Sequence, residues 1–126
     1  MEKKLSDSKL LKRWTMSLAY ELMDEFPLMD RSAALKQSYL VRELLEALGK
    51  GVAEFEYVKV NGERRNAVGT LCERLIPPQQ MPSEANLPKS RNSPLVFCYY
   101  DIERKGWRSF RAQHLTEICS VVIRQL

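Results

Sequence analysis

Two periodicities divide the chain. Apolar residues recur every three or four positions up to residue 50, and every second position after it. In the first half Leu11, Trp14, Leu18, Leu22 and Phe26 form one stripe at helical spacing, with Leu10, Ala19 and Met23 beside it. Ser6 or Asp7 can cap this helix. Pro27 stops it, because a proline pushes the preceding Phe26 out of helical dihedrals. A second helix is expected from Asp30 or Ser32. Leu35, Ser38 or Tyr39, Arg42, Leu45 and Leu48 fall along one side of it, and Ala34, Val41 and Leu44 widen the apolar face. Gly49 suits the left-handed residue that often closes a helix. The short FPLMD connection predicts a hairpin or an angled pair.

The segment VAEFEYVKV (52–60) alternates, with Phe55 and Tyr57 opposite in sense to Glu54 and Glu56. Asn61-Gly62 and ERRNAVGTLCERL follow, which reads as a hairpin. Two registers compete. A two-residue turn sets Phe55 opposite Val68. A bulged three-residue turn through Gly62 sets Ala53, Phe55 and Tyr57 on one face with Ala67, Gly69 and Leu71. The second face is more coherently apolar, so the bulged turn is expected. Gly69 inside the strand then suits a sharp bend where a small barrel closes.

Residues 76–94 carry five prolines and few large apolar groups, which predicts a long, mobile loop between strands. LVFCYYDI (95–102) and GWRSFRA (106–112) read as partner strands around an ERKG turn. A brief turn then leads to a closing strand ending near Arg124. The expected fold is α+β: a helical segment at 1–50, then a five-stranded SH3-like or Sm-like barrel at 51–126.

Composition narrows the function. Apolar residues make up 44% and charged residues 29%, ordinary values for a globular domain that needs no disulfide or metal to fold. No apolar run is long enough to span a membrane, and the start lacks the apolar core of a signal peptide, so a cytoplasmic protein is expected. Cys72, Cys98 and Cys119 are widely spaced in segments that read as strand, which predicts reduced, buried thiols. With His114 as the one histidine, no metal site and no cofactor are expected. No nucleophile–base pair or phosphate-binding glycine motif is recognisable, so no enzyme is expected. The net charge of +4 permits a polyanionic partner without requiring one.

A family resemblance adds to this. FEYVKVNGERRNAVGTL and YYDIERKGWRSFRAQHLTEI are similar to the small Sm-like/SH3-like barrel proteins related to WYL domains. The matching positions are Phe55, Tyr57, Lys59, Asn61, Gly62, Arg65, Ala67, Gly69, Thr70 and Leu71, then Tyr100, Asp101, Gly106, Trp107, Arg108, Ser109, Phe110, Arg111 and Leu115. The resemblance spans residues 52–118, and SAALKQSYLVRELLEAL is similar to a helix that often precedes the barrel. It implies a small bacterial protein of a kind often carried by phages and conjugative elements. It also implies a regulatory module that senses a ligand or contacts nucleic acid.

The candidate site centres on GWRSFR. As a strand it points Trp107, Ser109 and Arg111 one way, and Arg108, Phe110 and Ala112 the other. With Phe110 in the core, Arg108 must find a carbonyl or a carboxylate, and Asp101, Glu54 and Glu56 are candidates. In one reading Trp107 covers the barrel mouth and Arg108 is a tether. In the other, Trp107 and Arg111 form an outward strip that stacks a base and holds a phosphate. Arg64, Arg65, Arg104 and Lys105 sit at turns that could complete a basic rim. The leading expectation is a non-enzymatic module that binds nucleic acid or a small anionic ligand through Arg64, Arg65, Lys105, Trp107, Arg108 and Arg111. The alternative is a protein-interaction adaptor or homodimer that uses the N-terminal helices.

Overall fold

The computed structural model of the chain describes residues 2–123, with side-chain surroundings given from residue 9 to residue 122. Two helices, α1 (Glu2–Glu25) and α2 (Arg31–Lys50), precede five strands. These are β1 (Gly51–Val58), β2 (Arg64–Thr70), β3 (Val96–Asp101), β4 (Gly106–Arg111) and β5 (Leu115–Ile123). Every pairing is antiparallel, in the order β4-β3-β2-β1-β5. This is the expected pair of helices on a small five-stranded sheet. The expected closing residue, Arg124, lies outside the described residues.

The helices follow the expected faces and differ from expectation in extent and in the closing cap. α1 starts at Glu2, ahead of Ser6 and Asp7. Among the residues whose burial is described, its buried stripe runs from Thr15 through Leu18 and Ala19 to Leu22. Trp14 meets the Phe97 ring of β3 at 5.9 Å. Leu10 and Leu11, before it, are exposed. In α2 the Asp30 carboxylate accepts from the Ala33 amide at 2.8 Å and caps the first turn. The buried positions, Ala34, Ser38, Val41, Leu44 and Leu48, all belong to the expected apolar face; Leu35, Arg42 and Leu45 lie at its half-buried margin and Tyr39 is exposed. Ser38 is accommodated because its hydroxyl donates to the Ala34 carbonyl at 2.8 Å. Gly49 is not a left-handed cap. The helix runs through it into β1 at Gly51, whose φ of 174° is ordinary extended backbone.

The β1–β2 register follows the apolar face. Phe55 lies opposite Ala67, and Tyr57 opposite Arg65. The Lys59 amide donates to the Glu63 carbonyl at 2.8 Å, and Gly62 takes a φ of 90°, as the bulged turn requires. Phe55, Tyr57, Tyr99 and Phe110 then meet Leu22, Leu44 and Leu48 from the helices in one core. Each large apolar side chain buried there contributes about 1.5–3 kcal/mol. Packing, rather than helix propensity, therefore holds α2 in place.

β2 and β3 share only two residue pairs, Gly69 with Asp101 and Thr70 with Tyr100. Gly69 lies directly under Tyr99. A β-carbon there would stand 2.6 Å from Tyr99 Cδ2 and 3.2 Å from the Tyr100 carbonyl oxygen. Thr70 fastens the same corner, donating to the Gly51 carbonyl at 2.6 Å and accepting from the Cys72 amide at 3.0 Å.

The segment expected as a mobile loop is a packed strap. It contains 3₁₀ turns at Pro78–Gln80 and Lys89–Asn92, and a further one at Glu73–Leu75, expected as strand, leads into it. Ile76 is buried with Tyr100 and Trp107, and Met81 and Leu87 pack against them. The cysteines also depart from expectation. Cys72 is buried but lies between β2 and the 3₁₀ turn at Glu73–Leu75 rather than in a strand, Cys98 is half-buried, and Cys119 on β5 is exposed.

The Gly69 contact makes a prediction for chemical denaturation. Gly69→Ala should cost about 1–3 kcal/mol, because the Tyr99 ring and a backbone carbonyl must both move. Gly49→Ala, whose β-carbon meets nothing within 4 Å, should instead gain up to about 1 kcal/mol. Equal effects at the two sites would contradict the close approach.

Candidate functional site

β4 is an edge strand, and a groove of 570 Å³ lies beside it. One wall is the end of β1 with its turn, at Tyr57, Val58, Lys59, Val60 and Asn61. The other is the strap, at Pro88 and Ser90. Five consecutive residues of β4, from Trp107 to Arg111, line it together with Arg65 and His114. Lys59, Arg65, Arg108, Arg111 and His114 therefore face one space, and no carboxylate residue lines it. The volume lies within the usual range of about 300–1,000 Å³ for ligand sites.

α2 positions the far end of this groove. Gln37 donates from Nε2 to the carbonyls of Ala112 and Leu115, at 2.7 and 2.8 Å. Those bonds hold the 3₁₀ turn at Ala112–His114, which carries the imidazole. His114 Nδ1 is buried without a hydrogen-bond partner among the described residues. The Ser109 hydroxyl shares a 3.1 Å hydrogen bond with the Ser90 hydroxyl, which ties β4 to the strap.

Arg65 is the tethering arginine, a role expected of Arg108. Arg65 Nη2 donates to Asp101 Oδ2 at 3.0 Å, with the two side chains 10% and 2% exposed. Asp101 Oδ1 also accepts from the Arg104 amide at 2.8 Å, closing the β3–β4 turn. Arg108 is exposed at the groove rim, where its Nη1 donates to the Trp107 carbonyl at 3.3 Å. The signal for Arg65 was present in the hairpin register. Opposite Tyr57, Arg65 lies on the same face as Ala67 and Gly69, so it must carry its own carboxylate into the core.

Trp107 does not form an outward strip with Arg111. It is 7% exposed, packs edge-on against Tyr100 at 6.0 Å, and donates from Nε1 to the Gln80 carbonyl at 2.5 Å. The strap covers the face that a base would need. Arg111 is half-buried and lines the groove. Arg64 and Lys105 are exposed and lie outside it, so the turns do not assemble into one basic rim. Lys105 adopts a φ of 53° in the β3–β4 turn. Sequence reasoning passed over Lys59 and His114. The bulged turn could have found Lys59, since it sets that residue two positions beyond Tyr57 on the same face.

Beneath the groove the Tyr57 and Tyr99 hydroxyls share a 2.8 Å hydrogen bond. Burial, and then the bond to Tyr57, push the Tyr99 phenol far above its ordinary value.

The bent antiparallel sheet, the single 3₁₀ turn before β5 and the capping helices define a small barrel of the Sm-like, SH3-like class. The family model described as WYL_2, Sm-like SH3 beta-barrel fold, matches residues 41–116, and the chain belongs to that family. No curated protein and no solved structure matches the chain. Among the described residues, no helix is long and apolar enough to cross a membrane.

Two outcomes follow for the site's foundations. Arg65→Ala should cost about 3–5 kcal/mol in denaturant titrations by stranding a buried carboxylate, and Arg65→Met with Asp101→Leu should recover at least half of it. Tyr99 is neutral when folded, so its contribution is complete below the unfolded phenol value near 10 and is lost as pH rises beyond it. Wild-type stability should therefore fall by about 1.4 kcal/mol per pH unit more steeply than that of Tyr99→Phe above pH ~10, as read by urea titrations.

Proposed function

We propose that the chain is a non-enzymatic, cytoplasmic binding or regulatory module that holds an anionic ligand, a nucleic-acid segment or a small anion, in the groove beside β4. The observation that carries this is the convergence of Lys59, Arg65, Arg108, Arg111 and His114 on a groove with no carboxylate residue in its lining. Asp101 counters the charge of Arg65. Lys59 reaches Glu63 only at 4.0 Å across an exposed gap. Arg108 and Arg111 have no ion-pair partner among the described residues, so an anion entering the groove meets two uncompensated guanidiniums. A binding role is favoured over catalysis because the Ser109 hydroxyl is bonded to Ser90 rather than to the imidazole of His114.

A second reading is a protein-interaction adaptor or homodimer built on the helices. It is supported by Leu10, Tyr20 and Leu28, which are exposed on α1 and the turn after it. Sedimentation over a wide concentration range tests it, since a monomer throughout would remove the homodimer.

Salt titration tests the leading reading. For a polyanion, Arg111→Ala should flatten the plot of log affinity against log salt by about one unit. Arg64→Ala, outside the groove, should leave the slope close to wild type. Equal slopes for wild type and Arg111→Ala would move the contact elsewhere.

A further inference from the structure

The groove has a feature that a simple anion pocket does not need: it runs along an unpaired backbone edge. Side chains on opposite faces of a strand alternate, so five consecutive residues can line one groove only when it follows the strand's edge. The polarity of that edge can be worked out. The Ala112 amide donates to the Leu95 carbonyl at 2.7 Å, which makes Leu95 and Ala112 a hydrogen-bonded pair. Antiparallel pairs alternate, so Phe97 with Phe110 and Tyr99 with Arg108 are bonded pairs as well. The pairs of Val96 with Arg111, Cys98 with Ser109 and Tyr100 with Trp107 are the non-bonded ones. The backbone N–H and C=O groups of Trp107, Ser109 and Arg111 therefore point away from β3, into the groove. The Trp107 carbonyl behaves accordingly, accepting from the Arg108 guanidinium on that open side.

The geometry points to an extended acidic peptide as the occupant, added as a further strand along the free edge of β4. This rests on the anion-binding reading of the groove above and puts a peptide in the place of the nucleic acid. An edge that offers donors and acceptors in alternation matches another peptide backbone, whose groups repeat every 3.2–3.4 Å. A nucleic-acid strand would need ring faces on which to stack its bases. The groove's aromatic residues do not supply them: Tyr57, Trp107 and Phe110 are 3%, 7% and 2% exposed. Charge selects the peptide's composition, since Arg108, Arg111 and Lys59 admit acidic side chains and repel basic ones. A second copy of this chain fits less well, because β5, the other sheet edge, carries Glu117 as its one acidic residue.

The test is fluorescence anisotropy of the full chain with a short labelled peptide of alternating Glu and Val. A Lys-Val counterpart and a short oligothymidylate serve as comparisons. The Glu-Val peptide should bind and the Lys-Val peptide should not. N-methylation at one alternate set of its residues should weaken binding by about tenfold, while methylation of the other set spares it, because only one set faces β4. Ser109→Pro removes an outward N–H without touching the β3 ladder and should cause a similar loss, well beyond that of Ser109→Ala, which removes only the hydroxyl bond to Ser90. Equal binding of both methylated peptides would overturn the proposal even if Ser109→Pro fails to fold. Oligothymidylate binding without peptide binding would overturn it and leave the anion-binding reading standing. Self-association abolished by Ser109→Pro would assign the edge to a second copy. No binding of either the Glu-Val peptide or oligothymidylate would overturn this proposal and the nucleic-acid form of the reading above.

Discussion

The corner at Gly69 bears on everything that follows it in the sheet. β2 and β3 are joined by two residue pairs and by the Ile102 amide donating to the Val68 carbonyl at 2.9 Å. Across so short a ladder, direction is set by what packs at the bend. The absence of a side chain at Gly69 lets the Tyr99 ring settle on the backbone. From there Tyr99 reaches the Tyr57 hydroxyl and meets Phe55 edge-on at 5.0 Å. Asp101, two residues on, reaches Arg65. Among the described residues β4 has no ladder partner but β3, so the position of the β4 residues on the groove floor is inherited from this corner.

Much of this was legible because one face of each strand is buried. A register slip of one residue would have put Phe55 and Tyr57 into solvent, so the apolar pattern fixed the hairpin and its bulged turn together. The same logic was not carried to Arg65. Its sequence position looked like a solvated turn, while its register put it on the apolar face. Arg108 misled for the complementary reason. It shares a face with Phe110, but it lies opposite Tyr99, where the core ends in a hydroxyl pair and the groove begins. Parity along a strand identifies a face. It does not say how far along that face the core extends.

The strap was illegible from composition. Five prolines in nineteen residues read as a loop, and the few apolar residues seemed too sparse for burial. Yet prolines lower the entropy of the unfolded chain and pre-set backbone dihedrals. Little apolar area is then needed to hold the segment, and Ile76, Met81 and Leu87 supply it against Tyr100 and Trp107. The consequence for function was large. Trp107, the most conspicuous residue for stacking in the sequence, is committed on its ring face and at its nitrogen to the strap.

The strap also sharpens the meaning of the open edge. A free strand edge invites unwanted pairing, and proteins guard such edges with charge, with proline or with a covering segment. This chain has a proline-rich covering segment beside β4 and lays it over the outer face, leaving the edge bare. What remains at the edge is charge, on Arg108, Arg111 and Lys59. Charge guards differently from a cover, because it excludes by sign and not by bulk. An edge lined by Arg108, Arg111 and Lys59, with its outward amides uncovered, repels basic strands and would favour acidic ones. On the proposed reading, protection from aggregation and selection of a partner would be the same electrostatic property, seen by two different strands.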